Sequence, residues 1–253
     1  MSQIPPVTVM IASPACDAAH LSAQECPVSH LIDIYLQPGK AFAGLKERPS
    51  FLLPLALSLV LSGAMTFLYF KNVDYDWYLG HLFSSKPDMT AKEIAMAKTT
   101  MPGAGIMSWL SLVGVLVGGV LLTLVAAVYY LLAGKVTGNA VSFRHGLALS
   151  TWPQMPALLG VIVALVGVLT MTPQTPLESL TLLNVDPLLL QLPMDDRWSS
   201  LAKGFSLLTP WTWGLTALGW KTWGRTGWGQ AVTVALLPWA VVYAGMIAWA
   251  LAQ

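Results

Sequence analysis

Four long uncharged apolar runs constrain this chain more than any other feature. They cover residues 51–70, 106–133, 147–171 and 231–252, and none contains Asp, Glu, Lys, Arg or His. At 1.5 Å per helical residue, each is long enough to cross a hydrocarbon core of about 30 Å. Soluble domains carry roughly 25% charged residues, whereas this chain carries 10% and is 55% apolar. The sequence therefore predicts a polytopic membrane protein.

A fifth apolar run, residues 205–220, has only sixteen residues and contains Pro210. Neighbouring helices can satisfy the carbonyls that a proline frees, so we count it as a fifth span. Residues 177–196 are also apolar, but Glu178 and Asp186 interrupt them and a mid-membrane charge costs roughly 2.5 to 3.5 kcal/mol. We expect that segment to lie along the membrane surface. The predicted fold is an all-α, five-helix transmembrane bundle.

Amphipathic helices are predicted ahead of the first span. Between residues 29 and 50, apolar side chains recur at roughly helical spacing and Pro38 divides the segment into two short pieces. The apolar positions are Leu31, Ile34, Tyr35, Phe42 and Leu45. Such helices lie in the headgroup region and contact membrane lipid. We divide the chain into a flexible cytoplasmic tail, residues 1–28, and a membrane domain, residues 29–253.

Basic residues set the expected orientation. Lys and Arg are denser in the short loops on the N-terminal side of the five spans, and short basic loops stay cytoplasmic. We expect the inner membrane of a bacterial cell, with the N-terminus cytoplasmic. The formal net charge of +1 gives no indication of nucleic-acid binding.

Two clusters of special side chains are candidate sites. Cys16, His20, Cys26 and His30 follow the spacing C-x3-H-x5-C-x3-H, in which each Cys–His pair suits zinc; the alternative is a loose polar tail. Residues 209–230 hold five tryptophans. We expect Trp220, Trp223 and Trp228 to form an interface belt, and one of Trp211 and Trp213 to pack inward. A ligand box of aromatic rings is the alternative. We assign no metal or cofactor to either cluster.

Small residues form a stripe along the second span. Ser111, Gly114 and Gly118 recur at spacings of three and four, and such stripes let helix backbones approach closely. The partner is another helix of the same bundle or, in the sharper hypothesis, another membrane protein or a second copy of this chain.

The chain resembles a known family in three segments. Residues 31–60 hold Pro38, Lys40 and Phe42 before a proline and the first span. Residues 138–160 hold the Ser-Phe-Arg triplet 142–144, then Trp152, Pro153 and Pro156, and residues 207–232 hold the tryptophan-rich loop. These segments resemble Yip-domain membrane proteins, the Ypt-interacting group, in their bacterial branch. The resemblance implies five helices, a cytoplasmic N-terminus and no known catalytic residues. The Asp-Leu-Tyr-Gly-Pro element of the eukaryotic branch is missing.

The predicted spans hold no ionisable side chain with which to mark an ion pathway or a catalytic base. We therefore expect a non-enzymatic membrane scaffold or organiser that works through helix packing and lipid contact. The alternative is a permease, or an accessory transporter subunit, for a neutral or lipidic solute. A lipid-directed enzyme using Asp195 and Asp196 is a third hypothesis, against which these residues are solvated loop charges. We assign no catalytic residue.

Overall fold

The computed structural model describes residues 27–84, 89–193 and 196–252. Within these residues the regular structure is helical, with one isolated antiparallel bridge between Asn184 and Ser206. The helices ahead of residue 140 are α1 (Pro27–Leu36), α2 (Pro38–Glu47), α3 (Leu52–Asn72), α4 (Tyr75–Ser84), α5 (Ala91–Thr100) and α6 (Ala104–Thr137). The later helices are α7 (Phe143–Thr151), α8 (Met155–Thr170), α9 (Leu177–Leu180), α10 (Ser199–Gly204), α11 (Thr209–Gly224) and α12 (Trp228–Ala252).

Four helical segments are long and apolar enough to cross a membrane. They are Leu52–Asn72, Ala104–Thr137, Phe143–Thr170 and Trp228–Ala252, which correspond to the four uncharged runs of the sequence. A 3-10 turn, Trp152–Gln154, joins α7 to α8 where Pro153 and Pro156 interrupt regular hydrogen bonding. The predicted fifth span becomes α11, whose 16 residues extend roughly 24 Å. Pro210 lies in its first turn, where a missing N–H costs nothing.

The bundle has two distinct ends. One, the N-terminal end, carries α2, the 138–142 turn and the 225–227 turn. The other, the loop end, carries the connections 73–103 and 171–208. An added Cβ at Gly224 would touch Asn139, which places the ends of α6 and α11 together. At the loop end, the Asp74 amide donates to the Pro173 carbonyl.

The apolar face of α1 and α2 is covered by protein. Ile34, Ala41, Phe42 and Leu45 are fully buried in the main core together with Leu149 of α7 and residues of α11 and α12. Pro38 begins α2, so the predicted division into two helices is confirmed. Between residues 30 and 36 of α1, the apolar side chains left exposed are Ile32 and Leu36.

Glycines permit the closest helix crossings. An added Cβ at Gly146 of α7 would lie 2.5 Å from the Ala127 carbonyl oxygen of α6, and one at Gly119 would lie 2.5 Å from a Leu59 methyl of α3. In contrast, nothing lies within 4 Å of an added Cβ at Gly114 or Gly118. Of the two alternatives for this stripe, packing within the bundle does not occur at these two glycines, because α6 turns Gly119 toward α3 instead.

Residues 171–208 fold back along α8 without forming a candidate span. An added Cβ at Gly167 would lie 3.1 Å from Leu180, and one at Gly160 would lie 3.8 Å from Leu183. The Val185 amide donates to the Phe205 carbonyl at 2.9 Å, and this hydrogen bond joins the first half of the loop to its last residues. A five-residue π-helical turn, Asp186–Leu190, carries Asp186, which is buried although we expected it at the surface.

Candidate functional site

Side chains of the second half of the chain hold the backbone between Phe42 and Ser50. Three N–H groups, from α7, the 3-10 turn and α11, donate hydrogen bonds to backbone carbonyls of α2 and of the turn after it. The pairs are Trp223 Nε1 to Phe42 at 2.7 Å, His145 Nε2 to Lys46 at 2.9 Å, and Trp152 Nε1 to Ser50 at 2.7 Å. We call these three contacts the carbonyl anchor.

Two of the three acceptors are carbonyls that helix geometry leaves without a backbone donor. The carbonyl of Ser50 precedes Phe51, the N-cap residue of α3, and so lies outside the backbone hydrogen bonding of that helix. Lys46 lies in the last turn of α2, where carbonyls lack an intrahelical partner. An unpaired buried carbonyl costs roughly 1 to 3 kcal/mol, so Trp152 and His145 each remove such a cost.

A proline inside α12 leaves another carbonyl without a backbone donor. Pro238 frees the carbonyl of Val234, four residues earlier. The hydroxyl of Tyr129, on α6, donates to that carbonyl at 2.8 Å. This contact joins α6 to α12, so a proline that weakens one helix also supplies an acceptor that ties two helices together.

Phe42 is the packing centre of the anchor. Its ring meets Trp223 edge-on at 6.2 Å, and Trp223 meets the imidazole of His145 at 5.2 Å. An added Cβ at Gly219 would lie 2.8 Å from Phe42, so only glycine lets α11 approach this closely. His145 is positioned by the Ser142 hydroxyl, 2.6 Å from its Nδ1, and the Ser142 oxygen also caps α7.

A cavity of about 530 Å³ lies between α3, α6, α7 and α12. Its walls are mostly aliphatic, with hydroxyl groups from three helices and the side-chain amide of Gln154. The hydroxyl-bearing residues are Ser58, Ser62, Thr123, Ser150 and Thr151. Pro238 and Trp239 form the wall on α12. Its volume falls within the roughly 300 to 1,000 Å³ of small-molecule sites.

The loop end carries a charged cluster. Glu178 Oε1 lies 2.8 Å from His81 Nε2 and 3.7 Å from Lys203 Nζ, and the His81 ring stacks on Trp77. Burial raises the pKa of the Glu178 carboxyl, but hydrogen bonding to His81 and the charge of Lys203 outweigh it, so that its pKa lies below the ordinary value. The cluster joins α4, α9 and α10.

The tryptophans of residues 209–230 are divided between core and surface. Trp220 is 1% exposed and Trp223 is buried, so the predicted interface belt is wrong for both, because α11 turns them toward Tyr130 and Phe42. Trp228 is 53% exposed, with Lys221 Nζ 4.7 Å from its ring centroid. Trp213 packs against Phe205, Trp239 and Tyr243, whereas Trp211 is exposed, which confirms the predicted contrast between these two.

The remaining candidates are the Cys–His cluster and the acidic pair Asp195 and Asp196. Cys16, His20 and Cys26 lie outside the described residues, and His30 is buried with its ring 5.9 Å from Trp152. In the part of the chain that is described, no three His, Cys, Asp or Glu residues are grouped as for a metal ion. Asp195 is also outside that part. Asp196 accepts a hydrogen bond from the Trp198 amide at 2.7 Å, which is a turn contact.

Sequence reasoning missed the carbonyl anchor and the cavity. The Val234 acceptor on α12 could have been found, because a proline inside a helix frees the carbonyl four residues before it. The donors Trp152 and Tyr129 could not, since they lie about one hundred positions from their acceptors.

These features define a class: a polytopic, all-helical membrane protein whose N-terminal helices are anchored on the bundle by N–H donors. The chain belongs to the Yip1 domain family, whose model matches residues 32–249. It is similar to the membrane protein YknW of Bacillus subtilis, with 26% identity over 208 residues that cover 80% of this chain and 83% of the relative. No solved structure matches the chain. The resemblance stated from the three sequence segments is thereby confirmed.

Proposed function

We propose that this protein is a non-enzymatic scaffold of the bacterial inner membrane, which holds partner helices against its longest helix, α6. The observation that carries the proposal is the open face of that helix at Gly114 and Gly118, where an added Cβ meets nothing within 4 Å. Both glycines lie in a helix of 34 residues, and over residues 104–134 its exposed side chains are aliphatic or Trp109. In lipid, helices associate through such small-residue faces, because backbones can approach there. The partner is a second copy or another membrane protein.

Cross-linking in native membranes tests this proposal. Gly114→Leu fills the open face and should abolish the cross-linked complex while leaving the fold intact. Gly245→Leu is the matched control, since Gly245 on α12 is also open. Gly119→Leu should disturb folding, because that position faces Leu59. An unchanged cross-link in Gly114→Leu would contradict the scaffold proposal.

The proposed placement has α11 as a fifth crossing and the N-terminus in the cytoplasm. Lys40, Lys46, Lys135, Arg144 and Arg225 all belong to the N-terminal end, which supports a cytoplasmic position by the positive-inside rule. In this placement α1 and α2 lie at headgroup depth, with Lys46 and Arg48 near anionic lipid.

Cysteine labelling tests that placement in a chain whose native Cys16 and Cys26 are changed to Ser. Single cysteines replace Gly39, Gly103 and Gly227, three glycines with open space around them. A membrane-impermeant maleimide added outside should label Gly103→Cys alone. Labelling of Gly227→Cys from outside would remove α11 as a crossing helix, and labelling of Gly39→Cys would reverse the orientation.

The permease alternative requires a cavity that reaches both surfaces. The residues that line the cavity described above lie several helical turns from the loop end. They belong to 55–62, 115–126, 150–154 and 238–242. The position of the cavity supports the binding of a solute better than its passage across the membrane. We therefore prefer the scaffold function to the permease function.

A further inference from the structure

We propose that the cavity between α3, α6, α7 and α12 is a binding site for a neutral, hydroxyl-bearing lipid of the bilayer, of the diacylglycerol class. This inference goes beyond the scaffold role and does not depend on it. It follows from the charge, the hydrogen-bonding capacity and the opening of the cavity.

The charge of the lining selects a neutral ligand. No Asp, Glu, Lys, Arg or His belongs to the residues that line the cavity. A carboxylate or phosphate entering it would lose hydration without gaining a countercharge, which costs several kcal/mol per ion. Phospholipid headgroups and free fatty acids in their charged form are therefore poor ligands.

Four of the five hydroxyl groups of the lining favour a ligand that donates a hydrogen bond. Ser58 donates to Pro54, Thr123 to Gly119, and Thr151 to Leu147, each to a backbone carbonyl of its own helical segment at 2.8 to 2.9 Å. Ser150 donates to the same Leu147 carbonyl at 2.9 Å. Since a hydroxyl has a single proton, these oxygens can only accept hydrogen bonds from a ligand. Gln154 adds an amide that can both donate and accept.

The opening of the cavity faces lipid. Leu122 on α6 is 72% exposed and Val242 on α12 is 52% exposed, and both line the cavity. The gap between these helices is closed toward the N-terminal end by the contact from Tyr129 to Val234. Gln154 lies eleven residues after Phe143, or roughly 16 Å along the α7–α8 segment, and so within the hydrocarbon region of a spanning bundle. A ligand therefore enters sideways, from the bilayer, and a free hydroxyl on an apolar body matches the lining.

Photolabelling of the full chain tests this site. The protein is reconstituted in phosphatidylcholine vesicles that contain a diacylglycerol with a diazirine in one acyl chain. We expect saturable labelling of residues 115–126 or 150–154, displaced by unlabelled dioleoylglycerol. Trioleoylglycerol, which lacks the hydroxyl, and phosphatidylglycerol, which is charged, should not displace it.

Matched variants locate the labelling. Thr123→Val removes one acceptor and Gln154→Leu removes the amide, and each should weaken labelling about fivefold. Thr233→Val is the control, because Thr233 makes the same kind of hydrogen bond, to the Gly229 carbonyl, on an exposed face. Ala126→Leu should fill the cavity and abolish labelling, whereas Ala248→Leu, on the exposed face of α12, should not.

Size-exclusion elution and thermal unfolding of each variant separate loss of binding from loss of fold. Labelling that never saturates, that trioleoylglycerol or phosphatidylglycerol displaces equally well, that is undiminished in folded Gln154→Leu, or that persists in folded Ala126→Leu would overturn the proposal. In that event the labelled lipid is ordinary bilayer lipid at the protein surface.

Discussion

The two ends of the bundle are held together by different chemistry. At the N-terminal end, indole and imidazole N–H groups donate to backbone carbonyls beside the buried side chains of Phe42, Trp152 and Trp223. At the loop end, Glu178 accepts from His81 and pairs with Lys203, and about a quarter of each of these three side chains is exposed. One end depends on indole and imidazole hydrogen bonds to backbone carbonyls, and the other on a part-exposed charged cluster.

This difference indicates which end opens first. A buried carbonyl that loses its donor keeps the full cost of its desolvation, roughly 1 to 3 kcal/mol. A part-exposed ion pair contributes roughly 0 to 1 kcal/mol, because water and salt screen it. We therefore expect the N-terminal end to stay closed under conditions in which the loop end fluctuates. Hydrogen exchange should show slower amide exchange in α2 than in residues 171–208.

The largest expected effect is at the crossing of α6 and α7. Gly146→Ala forces a Cβ to 2.5 Å from a backbone oxygen that cannot rotate away, so we expect a loss of about 3 kcal/mol. Gly167→Ala at the loop end meets a Leu180 methyl at 3.1 Å, which can shift, and should cost less than 1 kcal/mol. Gly114→Ala, in open space, is the control. Thermal unfolding in detergent measures all three, and equal losses at Gly146 and Gly167 would contradict the contrast between the ends.

The carbonyl anchor gives the next effect. Trp152→Phe keeps an aromatic ring in the core but removes the donor to the Ser50 carbonyl, and we expect a loss of about 2 kcal/mol. Trp228→Phe is the control, because Trp228 is exposed and its contact with Lys221 is worth roughly 0.5 to 1 kcal/mol. Chemical unfolding of the two variants compares them directly. A smaller loss for Trp152→Phe than for Trp228→Phe would show that the anchor does not stabilise the fold.

A double-mutant cycle tests whether proline creates the need for a side-chain donor. Tyr129→Phe should cost about 1 kcal/mol when Pro238 is present, because the Val234 carbonyl then has no donor. In the Pro238→Ala background the alanine N–H can donate to that carbonyl, so the same change should cost close to nothing. The coupling free energy, from thermal unfolding of the four proteins, is the measured quantity. Additive losses would mean that Tyr129 acts through packing alone.

The hydrophobic runs predicted the fold well, for a physical reason. Absence of charge over about twenty residues leaves few alternatives to a helix in lipid, and the four runs match four helical segments. The position of Pro38 likewise located the boundary between α1 and α2. Local rules of this kind depend only on neighbouring residues, which the sequence shows directly.

The side-chain environments were harder to predict, because they depend on how helices rotate against each other. Trp220 and Trp223 have the composition and position of an interface belt, yet α11 buries both. Gly118 and Gly119 are adjacent, and only the second faces α3. The cavity combines residues of four helices, from Ser58 to Trp239, and no local pattern connects them.

The smallest expected effect is the pH response of the loop end. The pKa of Glu178 lies below its ordinary value of 4.5, so folding favours its ionised form. The contribution of the Glu178 carboxylate is therefore fully present above about pH 4.5 and is lost as the pH falls through the lowered pKa. Glu178→Gln should remove this dependence, at a cost of about 1 kcal/mol at neutral pH.

Limited proteolysis of residues 171–208 between pH 7 and pH 3.5 measures how far the loop opens. Glu93→Gln, in the exposed helix α5, is the control, because it also removes one carboxyl group. The N-terminal end has titratable groups of its own, His145 in the carbonyl anchor and the Asp33–Lys40 pair, so α2 is compared between the original chain and Glu178→Gln at each pH, where its proteolysis should not differ. A parallel increase at both ends would show that one cooperative unit, rather than two separate chemistries, holds the bundle.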